Sequence, residues 1–173
     1  MDNFLLFDLF FWIYVALLAG AAVSDVTRFV IPNWISLALV GLFALAVAVH
    51  PAAIDWPRHL AAFGLVLVGL LVAYRFGVIG GGDLKLMAAV SLWVGLDALP
   101  QLLLLTALVG GAFALGLIVL RRLLMGLLVA QSALHQVMLP RLLLTGEAIP
   151  YGVAIAAGGI LVARKLPHLG FFA

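Results

Sequence analysis

The sequence predicts an all-α fold, a polytopic membrane helix bundle of about six transmembrane helices, and three observations predict it. Hydrophobic residues make up 67% of the 173-residue chain and charged residues only 9%, with a mean hydropathy of +1.33. A soluble domain carries roughly 45–50% apolar and 25% charged residues. The apolar residues also fall in long runs without the alternation of barrel strands, and only helices or closed barrels satisfy backbone groups in lipid. Finally, a chain of this length is consumed by about six spans of roughly 17–25 residues, so residues 1–173 read as one integral-membrane domain with no room for a soluble one.

The expected spans are 9–23, 34–49, 60–79, 84–96, 102–120 and 149–163. Several fall short of the ~20 residues that cross ~30 Å of hydrocarbon, so they must borrow flanking residues or thin the bilayer, and the fourth is the shortest. Ala19-Gly20-Ala21 imitates the small-residue site that ends a signal peptide. No basic region precedes the first run, however, and Asp2 and Asp8 lie there instead, so the run reads as a retained span. Between Leu123 and Leu139 a seventh, amphipathic crossing competes with an interfacial helix; Gln131, Ser132, His135 and Gln136 favour the interfacial helix.

Charge places the loops. If Asp25 and Asp83 face the cytosol, Arg28, Arg75, Lys85, Arg121, Arg122 and Arg141 share that side, while Asp2, Asp8, Asp55 and Asp97 lie outside with Arg58, as the positive-inside rule requires. Arg164 and Lys165 dissent, falling outside in a six-span chain. The pI near 9.4 reflects a net charge of only +2 and gives no support to nucleic-acid binding. Cysteine is absent, which removes disulfides, thiol catalysis and Cys-ligated zinc. His50, His59, His135 and His168 have no ligand spacing and read as interfacial or loop residues, and no serine-hydrolase, zincin or phosphate-loop motif occurs. No metal or cofactor is expected.

Three segments carry the chemistry. Asp25 lies in the turn between the first two spans, within 24–33; alone it reads as a boundary acid, with Arg28 as a possible ion-pair partner and Pro32-Asn33 as a helix start. Gly80-Gly81-Gly82-Asp83-Leu84-Lys85 admits two readings. The glycines open the backbone to close approach, with room for an extended peptide, or they form a flexible turn with Asp83 as the N-cap of the fourth span. The segment 146–155, with Pro150, Tyr151 and Gly152, reads alone as a helix start with an interfacial Tyr and small packing residues.

The two acids together weigh more than either alone. Helices bring distant residues to one end of a bundle, and two adjacent carboxylates share a proton as aspartic-protease dyads do. The ionised member then takes a proton from water while the protonated one polarises a peptide carbonyl. A rival from another class is a transporter or channel subunit whose acids bind protons or cations, although no acid falls mid-span to form a relay. A silent assembly scaffold is a third reading, disfavoured by the intact motifs.

Asp25 with 28–33, then 80–85, then 149–155 resembles the type IV prepilin peptidases, membrane aspartic endopeptidases of the G-x-G-D class. The resemblance implies Asp25 and Asp83 as the catalytic pair. Gly80 and Gly82 match the motif glycines, Lys85 matches a basic residue after them, and Arg28, Pro150, Tyr151 and Gly152 support the motif. It implies as partners the lipid bilayer of the bacterial inner membrane and a prepilin or pilin-like substrate, whose short basic leader is cut at the cytosolic face, next to the hydrophobic stem that follows it. Larger members also N-methylate the new terminus and often carry a cysteine zinc motif. This chain has neither the cysteines nor room for that loop, so it resembles the minimal type of tight-adherence (Flp) pili. The archaeal preflagellin peptidases share the dyad and are similar in size. Oligomeric state is left open.

Overall fold

The computed structural model describes residues 2–49, 54–130 and 149–164. They form five helices, α1 (Asp2–Arg28), α2 (Asn33–Val49), α3 (Trp56–Arg75), α4 (Gly81–Ala130) and α5 (Gly152–Ala163). Three stretches are long and apolar enough to cross a membrane, Asp8–Arg28, Trp56–Arg75 and Gly81–Gly126, while Asn33–Val49 and Gly152–Ala163 are shorter apolar helices. The expected fourth and fifth spans are both found in α4. Its helix is interrupted at Gly95, whose φ of 75° and ψ of 175° are not helical, a conformation that glycine alone adopts at little cost.

The two arms of α4 run in opposite directions along α5. Val90 on the first arm lies beside Gly159. On the second arm Thr106 lies beside Gly158 and Gly110 beside Ala154, so the chain has turned back by then. At Gly158 and Gly159 an added Cβ would meet Thr106, Tyr14 and Val90, so α5 approaches its neighbours at backbone distance. Small residues allow that approach, which in lipid supplies the packing energy that hydrophobic exclusion cannot. The core around them holds Tyr14, Leu18, Ile35, Leu39, Leu86, Val90, Leu102 and Ile155. Trp93 stacks near Tyr14, with ring centroids 4.9 Å apart, and donates its indole N–H to the Leu39 carbonyl at 2.9 Å, tying α4 to α2.

The break in α4 is clamped from α3. The His59 ring sits against Gly95, where a Cβ would come within 3.0–3.2 Å of its atoms, and His59 Nδ1–H donates to the Leu92 carbonyl at 2.8 Å. Arg58 bonds Asp97, just past the break, at 2.8 Å. His59 is thus a half-buried helix residue rather than a loop residue; His50, His135 and His168 lie outside the described residues. The second arm continues through 123–130 instead of ending at 120, so the start of the expected interfacial segment belongs to α4. The rest of that segment, with Gln131, Ser132, His135 and Gln136, lies outside the described residues.

Candidate active site

Helix α1 stops one turn after Asp25. Phe29 takes a left-handed φ of 54° and donates its N–H to the Asp25 carbonyl at 2.9 Å. A bulky side chain in that region is strained and persists only where its surroundings fix it. Here Ser24 Oγ donates to the Val30 carbonyl at 2.7 Å, folding the turn back over α1. Pro32 then ends the turn, its carbonyl accepting from Ile35 in the first turn of α2.

Asp25 itself is buried, 6% exposed, and has no ion pair with Arg28; the expected boundary pair is replaced by a backbone contact. The N–H of Gly152, first residue of α5, donates to Asp25 Oδ2 at 2.7 Å across 127 positions of sequence. That N–H has no acceptor within its own helix, because the first turn leaves its donors unsatisfied. A charge-assisted bond of this kind contributes about 1.5–3 kcal/mol. A Cβ at position 152 would lie 2.8 Å from Asp25 Oδ2 and 2.9 Å from Ile31 Cδ1, so only glycine fits.

Asp83 approaches from α4. The helix begins at Gly81, and the Gly80 carbonyl before it accepts from the Leu84 N–H at 3.0 Å. Asp83 is therefore the third residue of the helix and not its N-cap. Its carboxylate folds back, with Oδ2 3.2 Å from where a Cβ of Gly80 would be. At Gly82 the space belongs to the chain's own turn, Ile31 Cβ lying 3.2 Å from an added Cβ, and at Gly81 the Tyr74 ring lies at 3.5 Å. The glycines thus admit close approach, but at positions 81 and 82 the approaching group is internal.

Asp25 and Asp83, 58 positions apart, line the same two cavities. One, of about 580 Å³, opens toward the end of α3 and includes Phe29, Gly80, Pro150 and Tyr151. The other, of about 510 Å³, opens toward α2 and includes Asn33, Gly80, Gly82 and Lys85. Lys85 Nζ donates to Asn33 Oδ1 at 2.9 Å, which joins the start of α2 to α4. Arg28 is exposed at the end of α1 and lines neither cavity. Among the described residues, no three His, Asp or Glu side chains gather as metal ligands would.

Ser24, Phe29 and Ile31 shape this site without having been marked as site residues. The sequence gives a partial signal for Ser24, a hydroxyl near a helix end. It gives none for the strained φ of Phe29 or for the double contact of Ile31 with Gly82 and Gly152.

Residues 12–115 match the model of the type IV leader peptidase family. The chain belongs to that family. The matched residues include Asp25 and the 80–85 segment and end before Pro150. Among curated relatives, a prepilin leader peptidase/N-methyltransferase of Bacillus subtilis is 26% identical over 151 residues, covering 86% of this chain and 52% of its own. One of Aeromonas salmonicida is 36% identical over 117 residues, covering 64% of this chain and 38% of its own. A third, from Burkholderia pseudomallei, is 54% identical over 37 residues, 21% of this chain and 12% of its own. The chain thus spans about half the length, or less, of the curated relatives it matches. No solved structure gives a significant match.

Proposed function

We propose that this chain is a membrane-embedded aspartic endopeptidase that removes the short basic leader of a prepilin at the cytosolic face of the bacterial inner membrane. The observation that carries it is the meeting of Asp25 and Asp83 at one end of the bundle, on shared cavities, with one carboxylate anchored by a backbone donor. Family membership and the names of the relatives support the same reading. Six crossings are part of it, α4 supplying two, one on each side of Gly95. Flp-type pilins are the proposed substrates, on the resemblance and the absence of cysteine.

The dyad holds one proton between its two carboxyls, because adjacent like charges do not both ionise readily. The ionised carboxylate removes a proton from a water molecule as its oxygen bonds to the scissile carbonyl carbon. The protonated carboxyl delivers its proton to the carbonyl oxygen, giving a neutral gem-diol. On collapse the C–N bond breaks, the amine leaves with a proton, and the acid product departs with the dyad again holding one proton. Gly152 leaves Asp25 Oδ1 as the oxygen available to water, since Oδ2 already accepts the α5 N–H. The buried setting strengthens each of these electrostatic contacts.

The test is cleavage of a purified prepilin by the purified chain in detergent or liposomes, followed by mass spectrometry of both products. Release of the leader by the natural chain and not by Asp25→Asn or Asp83→Asn supports the reading. Proton or cation flux without cleavage would replace it.

A further inference from the structure

A third cavity, of about 520 Å³, lies between α2 and α3. Leu37 and Val40 form one wall, Phe63 and Leu67 the other, and Ala88 of α4 lies at its base. Both helices pack on α4 but not appreciably on each other, and α3 buries only Ala62 and Val66 of its apolar side chains. The result is an apolar groove open on its outer side. Along α2 it extends from Asn33 to Val40, about 10 Å at 1.5 Å per residue, or two helical turns.

The groove is continuous with the candidate active site. Asn33 and Lys85 line both it and the cavity that holds Asp25 and Asp83. A peptide drawn across the dyad toward α2 is thereby led into an apolar channel bounded at its head by the Lys85 ammonium. That head repels a basic segment, and apolar walls exclude one through the cost of desolvating its charges. Among the described residues, the cavity on the other side of the dyad has no lysine or arginine in its lining. The asymmetry orders the two halves of a substrate.

We propose that the groove between α2 and α3 seats the apolar stem of the substrate as a helix, with the basic leader leaving over the opposite cavity toward the end of α3. This rests on the peptidase reading above and adds to it where the substrate lies. The stem then contributes binding without touching the dyad, so blocking the groove weakens capture of a stem-bearing substrate and leaves the chemical step intact.

The chain has no cysteine, so single cysteines report cleanly. Cysteine replaces Leu37 in the groove or, as a control, Leu45 on an exposed part of α2 outside it, and each is alkylated with a bulky maleimide. Two substrates are compared, a whole prepilin and a water-soluble peptide that carries the leader but ends a few residues after the cleaved bond. The expected result for alkylated Leu37→Cys is a KM for the whole prepilin raised about tenfold with kcat nearly unchanged, and an unaffected short peptide. Alkylated Leu45→Cys should match the natural chain. Leu67→Cys, on the facing wall, repeats the test should Leu37→Cys not accumulate. Equal slowing of both substrates, or of neither, overturns the proposal. A photo-crosslinker at Leu37 that captures phospholipid and never the substrate stem overturns it too. Cleavage by Asp25→Asn or Asp83→Asn at the natural rate would sink the peptidase dyad instead, a failure visible without any groove variant.

Discussion

At one end of the bundle Asp25 is 6% exposed and its carboxylate is held by a backbone N–H. At the other, Asp97 is 55% exposed on its side chain and is held by the Arg58 guanidinium at 2.8 Å. A guanidinium neutralises the acid it holds, and an exposed pair of this kind adds only about 0–1 kcal/mol. A backbone N–H orients a carboxylate without cancelling its charge. The first end also carries cavities and a strained Phe29, whereas at the second His59 fills the space over the Gly95 break. The acid that holds helices together is paired and solvated, and the acid proposed to react is positioned by a backbone donor instead.

The comparison breaks most sharply at the acids. Asp25→Asn or Asp83→Asn should each lower the cleavage rate by about 10³-fold while the protein still accumulates in the membrane, because the amide keeps the shape but cannot exchange the dyad proton. A cleavage assay beside a membrane blot reads both quantities. Gly152→Ala comes next. Its Cβ would crowd Asp25 Oδ2 and Ile31, so turnover should fall about tenfold or more by displacement of the carboxylate. Gly111→Ala, with open space around it, should leave turnover unchanged.

Changes at the ion-paired end should move stability and spare chemistry. His59→Leu removes the donor to Leu92 and should cost about 1–3 kcal/mol of stability, read as a lower melting temperature in detergent. The kcat of the folded fraction should stay at its natural value. Arg58→Ala, at an exposed pair, should cost about 1 kcal/mol or less. The smallest expected effect is that of chelator: EDTA should leave cleavage unchanged, since in the proposed mechanism the dyad activates water itself. Activity lost with EDTA and restored by zinc would contradict that step.

Much of this was legible in the sequence because apolar run length and charge placement are local properties. The first three helices fall on the expected apolar runs, although α3 spans Trp56–Arg75, four residues earlier than the expected 60–79, and the junctions at 28–33 and 80–85 were marked by Pro32, the glycine triplet and the acids. What escaped depends on contacts distant in sequence. Gly95 is one glycine among eighteen, and its break is set by a histidine 36 positions earlier that fills the space above it. Gly152 read as a packing residue because its role appears only when α5 begins at Asp25, 127 positions away. The reading of Asp83 as an N-cap failed by three residues, since nothing local told which glycine would start α4. Arg164 ends α5 away from Asp25, at the end opposite the one to which the expected charge bias would assign it, and Lys165 lies outside the described residues.

The claim on which the account stands is that Asp25 and Asp83 open to one side of the membrane and the Arg58 end opens to the other. Single cysteines at Thr27, Gly81 and Trp56 test it, position 81 having only an ordinary contact with Tyr74 and the other two being exposed. In intact cells a membrane-impermeant thiol reagent should label position 56 and spare 27 and 81, and both should react once the inner membrane is opened. Labelling of 27 and 81 from opposite sides would separate the acids and end the dyad.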